Sequence, residues 1–184
     1  MNIAELINDS RDGRSSAQKC LFDLFADKML VVCSRYVKSR EDAEEVMLDG
    51  FYKFFKTMSS FSYQGEAALY NWIKRIMINE CLMFLRKKNV FTIVAETNAN
   101  EMPFNQDALD NLTAEEILAL IHQLPVGYRT VFNLNMIEGM THDEIGGLLG
   151  ISSGTSKSQL SKARNLLQKL IAQQGIEYAK QKTK

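Results

Sequence analysis

The sequence has no apolar run long enough to cross a bilayer, and its first residues, MNIAELINDSRDGR, lack the basic start and apolar middle of a secretory signal. Both absences point to a protein that works in the cytoplasm. Its three cysteines, Cys20, Cys33 and Cys81, are odd in number, widely spaced and set among apolar neighbours, so they predict buried free thiols rather than a disulfide frame. The two histidines, His122 and His142, have no ligand partners at metal spacing, so no metal and no cofactor is expected. No nucleophile–base spacing, carboxylate pair or phosphate loop is evident, no catalytic residue is assigned, and the chain does not read as an enzyme. Strand signals are nearly absent and only two prolines interrupt 184 residues, which predicts an all-α protein. Net charge is missing too, since 22 basic and 22 acidic residues cancel, and this excludes a uniformly basic nucleic-acid coat. The cancellation conceals a segregation: lysine and arginine gather in 74–88 and 157–184, acids in 41–49 and 96–116.

The most specific local chemistry lies in THDEIGGLLGISSGTSKSQLSKAR, Thr141 to Arg164. Thr141 and Glu144 form a capping box, in which the threonine oxygen accepts from the third helical N–H while the glutamate reaches back to the threonine N–H. A helix starts there, with Ile145, Leu148 and Leu149 on one face. Gly150 ends it, where the chain must enter the left-handed region. Ile151 then fills the angle between two helices, Ser152 or Ser153 caps the second, and Leu160, Ala163 and Leu167 turn inward. The other face shows Thr155, Lys157, Ser158, Gln159, Lys162 and Arg164, the hydrogen-bonding and cationic inventory for base edges and phosphates in a major groove. The segment reads as a helix-turn-helix. A helical hairpin with a solvated polar face is the alternative, because the same shape occurs in proteins that never touch DNA.

Upstream, the apolar residues of Ala17–Tyr36 and of Glu41–Met58 recur at helical spacing. Glu41, Glu45 and Asp49 fall four apart on the second of these helices, with Asp42 and Glu44 beside them. The macrodipole favours acids at a helix N-terminus, which accounts for the first turn, and a docking ridge for a basic partner helix accounts for Asp49 as well. A polar loop at 59–66 carries Phe61, Tyr63 and Gly65. It feeds a helix over Leu69–Lys88, with Trp72 on its apolar face and Lys74, Arg75, Asn79 and Arg86 elsewhere. An aromatic loop beside basic and amide residues suits unstacked bases, whereas Trp72 by itself also fits a core position. Periodicity fades through 89–111, read as a flexible linker, with Val90–Val94 apolar enough to pack on a domain. Thr113 and Glu116 form a second capping box, Leu124-Pro125 ends that helix, Tyr128–Glu138 forms another, and the polar tail frays from Gln173. Two small helical domains result, 1–90 and 112–184, joined by a linker over 91–111, with the helix-turn-helix near the end of the second.

This order of parts resembles the extracytoplasmic-function group of sigma factors of bacterial RNA polymerase. LPVGYRTVFNLNMIEGMTHDEIGGLLGISSGTSKSQLSKAR is similar to the family's LP-x-x-x-R-x-V-F…G-x-x-x-x-E-I-A-x-x-L-G-I-S-x-G-T-V-K-S-R-L-x-R-A-R. EDAEEVMLDGFYKFFK resembles D-A-E-D-L-V-Q-E-V-F-x-R-V-W, and NWIKRIMINECLMFLRKK resembles W-L-Y-R-I-A-R-N-x-x-x-D-x-L-R-R. The resemblance implies that Asp42, Glu45 and Asp49 dock on the clamp coiled coil of the largest subunit of core RNA polymerase. It implies that Phe61, Tyr63, Lys74, Arg75, Asn79 and Arg86 open the promoter's −10 element and hold a flipped base. Thr155, Lys157, Ser158, Gln159, Lys162 and Arg164 would read the −35 element as duplex. An anti-sigma partner is also implied, and membrane insertion is not.

The chain departs from the family pattern at several of these places. Leu48 stands for glutamine on the clamp helix, Ile78 for arginine and Met83 for aspartate on the −10 helix, Gly146 for alanine at a tight crossing, and Ser156 for an apolar residue. Gln159 stands for arginine and should change base preference, since glutamine pairs best with adenine and arginine with guanine. A freestanding helix-turn-helix regulator is the competing reading, and it leaves the acidic ridge and the loop without a role.

Overall fold

The computed structural model describes residues 2–88 and 112–182, with side chains as far as Gln173 in the last helix. The linker expected over 91–111 and the packing expected of Val90–Val94 lie outside the described residues. The chain divides into two compact units, Met1–Val90 and Phe91–Lys184, and the described residues of both are helical without strands.

The first unit contains α1 (Ile3–Arg11), α2 (Ser15–Tyr36), α3 (Arg40–Thr57) and α4 (Glu66–Lys87). Helix α1 was not foreseen; Asn2 caps it by accepting from the Ala4 N–H at 3.0 Å, and Leu6 and Ile7 bury its inner face. Helices α2, α3 and α4 pack on one another in all three pairs. Their buried faces meet in a core that includes Leu21, Phe25, Met29, Phe51, Phe54, Ile73 and Met77. Gly50 of α3 lies against the Met77 side chain of α4, where a Cβ would overlap the sulfur. All three cysteines are free; Cys33 and Cys81 are buried, and Cys20 is only half-buried. Cys33 on α2 and Cys81 on α4 share a thiol hydrogen bond which, with burial, pushes the Cys81 thiol well up. Such thiols stay protonated and inert.

Ser39 caps α3, its oxygen accepting from the Asp42 N–H at 3.3 Å, and the acids of the first turn face the positive end of the helix as the macrodipole favours. A tight turn over Met58–Ser60 closes α3, an extended stretch runs from Phe61 to Gly65, and Gly65 enters α4 at φ +105°, a conformation that only glycine takes readily.

The second unit contains α5 (Ala114–Gln123), α6 (Val126–Phe132), α7 (His142–Leu149) and α8 (Ser153–Lys182). Both expected capping boxes are present. The Glu144 carboxylate accepts from the Thr141 N–H at 2.8 Å, and the Glu144 N–H donates to the Thr141 hydroxyl at 3.3 Å. Accepting first from that N–H and then from the hydroxyl holds the Glu144 carboxyl below the usual range. Thr113 and Glu116 repeat the arrangement on α5. Gly150 is left-handed at φ +70°, and Ser152 caps α8 by accepting from the Thr155 N–H at 2.9 Å.

Two features differ from expectation. The helix expected over Tyr128–Glu138 begins at Val126 and widens into a π turn over Asn133–Ile137, closed by the Glu138 N–H donating to the Asn133 carbonyl at 3.0 Å. The extra residue in that turn carries Arg129, Thr130 and Asn133 to buried positions beside Val131, Phe132 and Leu134, and leaves Ile137 outside. Helix α8 also continues to Lys182 instead of fraying from Gln173.

The crossing of α7 and α8 rests on Gly146. Its carbonyl accepts from the N–H groups of Gly150 and Ile151, at 2.9 and 3.1 Å, and a Cβ on it would lie 2.8 Å from the Ile151 carbonyl oxygen. Gly147, one residue on, faces open space. Ser156 is fully buried, and its hydroxyl is satisfied by His142 Nδ1 at 2.9 Å. A polar group in the crossing of α8 is thus answered by a polar group from α7.

The same substitution at two adjacent glycines therefore has opposite signs. Gly147→Ala gains about 0.5–1 kcal/mol of helix propensity and should raise the thermal midpoint of the second unit. Gly146→Ala gains the same propensity but meets a backbone oxygen, an overlap costing about 1–3 kcal/mol, and should lower it; circular dichroism melts of the two variants check this. Acidification should also loosen the unit. Burial, and then Lys157 and Arg164, depress the His142 pKa, with Asp143 opposing weakly. The unfolded chain therefore binds the proton more tightly than the folded one. The associated stability is complete above about pH 6.5 and is lost as pH falls towards the lower folded value. His142→Asn, which keeps a hydrogen-bonding side chain but cannot titrate, should flatten that part of the melting-point profile.

Candidate nucleic-acid interface

Because α8 hides Ser156, Leu160, Ala163 and Leu167, its opposite side is fixed by helical periodicity. Lys157 is fully in solvent there, with Ser158, Ser161 and Lys162 half-exposed beside it. Thr155 sits at the cap, its hydroxyl 2.8 Å from the Ser152 hydroxyl and its carbonyl accepting from Ser158 at 3.1 Å. Two residues expected on this face are elsewhere. Gln159 is 2% exposed, lies on the buried stripe between Ser156 and Ala163, and its Oε1 has no hydrogen-bond partner among the described residues. Lying three residues from Ser156, three-tenths of a turn short of a full one, it falls within the inward arc. A change of base preference through Gln159 is therefore withdrawn. Arg164 is half-buried, with Nη2 3.0 Å from the Met136 sulfur in the π turn. Ser161 was missed, since an uncharged serine between helical turns carries no signal of its own.

In the first unit, Phe61 lies flat on Trp72, ring centroids 4.5 Å apart at 8°, and Trp72 meets the buried Phe54 edge-on at 5.3 Å. Trp72 is half-buried, so it serves both roles considered for it: one side belongs to the core, the other carries Phe61. Tyr63 follows, half-exposed, in the same loop. Arg75 and Asn79 stand three and seven residues after Trp72, on the same side of α4, with Arg75 exposed and Asn79 half-buried. Lys74 turns to another side, its ammonium 5.8 Å from the centre of the Tyr70 ring. Arg86 lies roughly 16 Å further along the helix axis from Arg75, so the loop, Trp72, Arg75 and Asn79 form one group to which Arg86 does not belong. Ile78, at the place of the family's arginine, is buried. A residue outside every motif also bears on this loop: Arg11 donates from Nε to the Met58 carbonyl at 3.2 Å and from Nη2 to the Phe61 carbonyl.

On α3 the acidic ridge is divided. The Asp42 carboxylate is held by Lys88 at 2.8 Å, and Glu44 by Arg40 at 2.9 Å. Glu45 and Asp49 are exposed and make no ion pair among the described residues. Leu48 and Tyr52, 54% and 70% exposed, lie with them on the outer face and were overlooked as apolar members of an acidic ridge. Between α3 and α4 runs a groove of about 500 Å³, lined by Asp42, Glu45 and Asp49 on one side and Met83, Phe84 and Lys88 on the other.

Comparison with known proteins accounts for this combination. The family described as Sigma-70 region 2 matches residues 21–90, and Sigma-70, region 4 matches residues 114–167; together they take in about two thirds of the chain. The ECF RNA polymerase sigma-E factor of Haemophilus influenzae is 27% identical over 180 residues, spanning 90% of this chain and 93% of its own. The ECF RNA polymerase sigma factor SigW of Bacillus subtilis is 26% identical over 184 residues, spanning 93% and 97%. The solved structure of CnrH in complex with the cytosolic domain of CnrY is 20% identical and covers 91% of this chain and 95% of that one, with a TM-score of 0.48. No helix among the described residues is long and apolar enough to cross a membrane. Two sigma regions in their proper order, within relatives matched almost end to end, identify the chain as a member of the extracytoplasmic-function sigma factors of RNA polymerase, which direct promoter-specific transcription.

Proposed function

We propose that residues 1–90 dock on core RNA polymerase and open the −10 element, that residues 112–184 read the −35 element as duplex, and that 91–111 links the two. The observation that carries this reading is which side chains remain in solvent after each helix has buried its apolar face. On α3 they are Glu45, Leu48, Asp49 and Tyr52, an acidic patch with an apolar centre, suited to a basic coiled coil on the polymerase clamp. Asp42 has a smaller part, because docking through it would first break its pair with Lys88. Around the loop, Phe61, Tyr63, Arg75 and Asn79 offer ring faces, an amide and a cation to an unstacked strand. Flipping a base costs a few kcal/mol of stacking, and base–aromatic stacking at ~1–3 kcal/mol per base returns much of it. On α8, Lys157 and Lys162 supply phosphate attraction, while Thr155, Ser158 and Ser161 stand at the groove-facing side of the helix. The protein acts in the cytoplasm, where core polymerase and promoter DNA are, and an anti-sigma partner would inactivate it by covering one of these faces.

Run-off transcription with core polymerase, with and without the full chain, tests the assignment. The chain alone should bind promoter duplex weakly and, with core, give a promoter-specific transcript; tight duplex binding without any effect on core polymerase would mark a freestanding regulator instead. Reversing charge at Glu45→Lys together with Asp49→Lys should weaken association with core at least tenfold, ~1.4 kcal/mol, with melting unchanged, as titration of labelled core would read. In the second unit, Lys157→Ala should weaken promoter binding across sequences and reduce the salt slope by about one. Gln159→Leu should leave base preference alone and stabilise the unit by ~1–3 kcal/mol, since it removes a buried unpaired amide oxygen.

A further inference from the structure

Arg11 ends α1, yet its guanidinium reaches a turn that lies 47 residues away at Met58 and 50 away at Phe61. Nε donates to the Met58 carbonyl at 3.2 Å, Nη2 donates to the Phe61 carbonyl, and Nη1 donates to Asn8 Oδ1 on its own helix at 3.4 Å. The two carbonyls are the first residue of the Met58–Ser60 turn and the residue that follows it. Phe61 is therefore fixed twice, by its carbonyl on Arg11 and by its ring on Trp72. Downstream the loop is set by the entry of Gly65 into α4. Tyr63 stands between these two supports. Arg11 is itself exposed, and α1 is held to the unit by the buried Leu6 and Ile7, so the guanidinium is not what keeps α1 folded.

We infer that Arg11 is a positioning residue for promoter opening: it never touches DNA, and it holds the Phe61–Tyr63 loop in the conformation that receives the unstacked −10 strand. This rests on the assignment of that loop proposed above. A loop already held by a forked donor is ordered before DNA arrives, so less binding free energy is spent in ordering it. The fork is specific to arginine, because a lysine ammonium offers a point charge with no fixed pair of parallel donors.

The test uses the full chain with core polymerase and a promoter carrying 2-aminopurine in the non-template −10 strand. Arg11→Ala should reduce the fluorescence rise of opening about tenfold, while core affinity stays within twofold and the melting temperature is retained. Arg11→Lys should restore little of it. Phe61→Ala should produce a similar loss, and the double variant should be no worse than Phe61→Ala alone, because both act on one placement. Normal opening by Arg11→Ala, losses that multiply in the double variant, or a parallel loss of core affinity and folding would overturn the role of Arg11. Normal opening by both Phe61→Ala and Tyr63→Ala would overturn the loop assignment and the inference with it. A defect in those two but none in Arg11→Ala would remove the inference and leave the loop assignment standing.

Discussion

A helix packed in a small bundle can hide one face, and what these two units offer to partners is set by the residues that this constraint leaves outside. Helix α3 shows it most directly. Burial of Ala43, Val46, Met47, Phe51 and Phe54 fixes the rotation of the helix, and the close seat of Gly50 on Met77 fixes its distance from α4. Glu45, Leu48, Asp49 and Tyr52 are then exposed by geometry. The same rotation brings Asp42 within reach of Lys88 at the end of α4, so a carboxylate of the acidic ridge becomes an internal brace between helices.

The parts of the fold written in local chemistry were legible before the structure. Thr141 with Glu144 and Thr113 with Glu116 start helices through hydrogen bonds that close within four residues, and Gly150 and Leu124-Pro125 end them for reasons equally local. What was not legible depends on contacts far apart in sequence or on rotation within one turn. Helix α1 is short and was passed over because its significance lies in Arg11 meeting Met58 and Phe61. The π turn over Asn133–Ile137 has no composition of its own, and it moves the register by one residue, enough to bury Asn133 and expose Ile137. Gln159 was read as outward because its neighbours Lys157 and Ser158 are polar. Polarity of neighbours is weak evidence on a helix, where successive residues are separated by about 100°.

The aromatic series from Phe54 through Trp72 to Phe61 links core to surface in the first unit. Phe54 is fully buried, Trp72 half-buried, and Phe61 begins the loop, so the placement of a surface ring is inherited from the packing of α3 on α4. This makes the loop less autonomous than its length implies. A substitution at Phe54 would be felt at Phe61 without any contact between loop and core other than one tryptophan ring.

In the second unit, three departures from the family pattern, Gly146, Ser156 and Gln159, all fall on the inward side of the helix-turn-helix. They have to be read as packing changes. The absent Cβ at Gly146 leaves room for the Ile151 carbonyl, and the hydroxyl that replaces an apolar side chain at 156 is satisfied from α7 by His142. Gln159 has no such compensation for its Oε1, and an unpaired buried amide oxygen costs more than a typical hydrogen bond contributes. None of these positions faces the groove side of α8, so sequence preference has to come from that face's short polar side chains and from the phosphate register set by Lys157 and Lys162. Serine and threonine hydroxyls donate and accept alike and discriminate bases less sharply than a bidentate arginine or glutamine. With such a face, the −35 contact contributes affinity and orientation more than selectivity, and the larger share of promoter discrimination falls to the strand held by the loop at Phe61 and Tyr63.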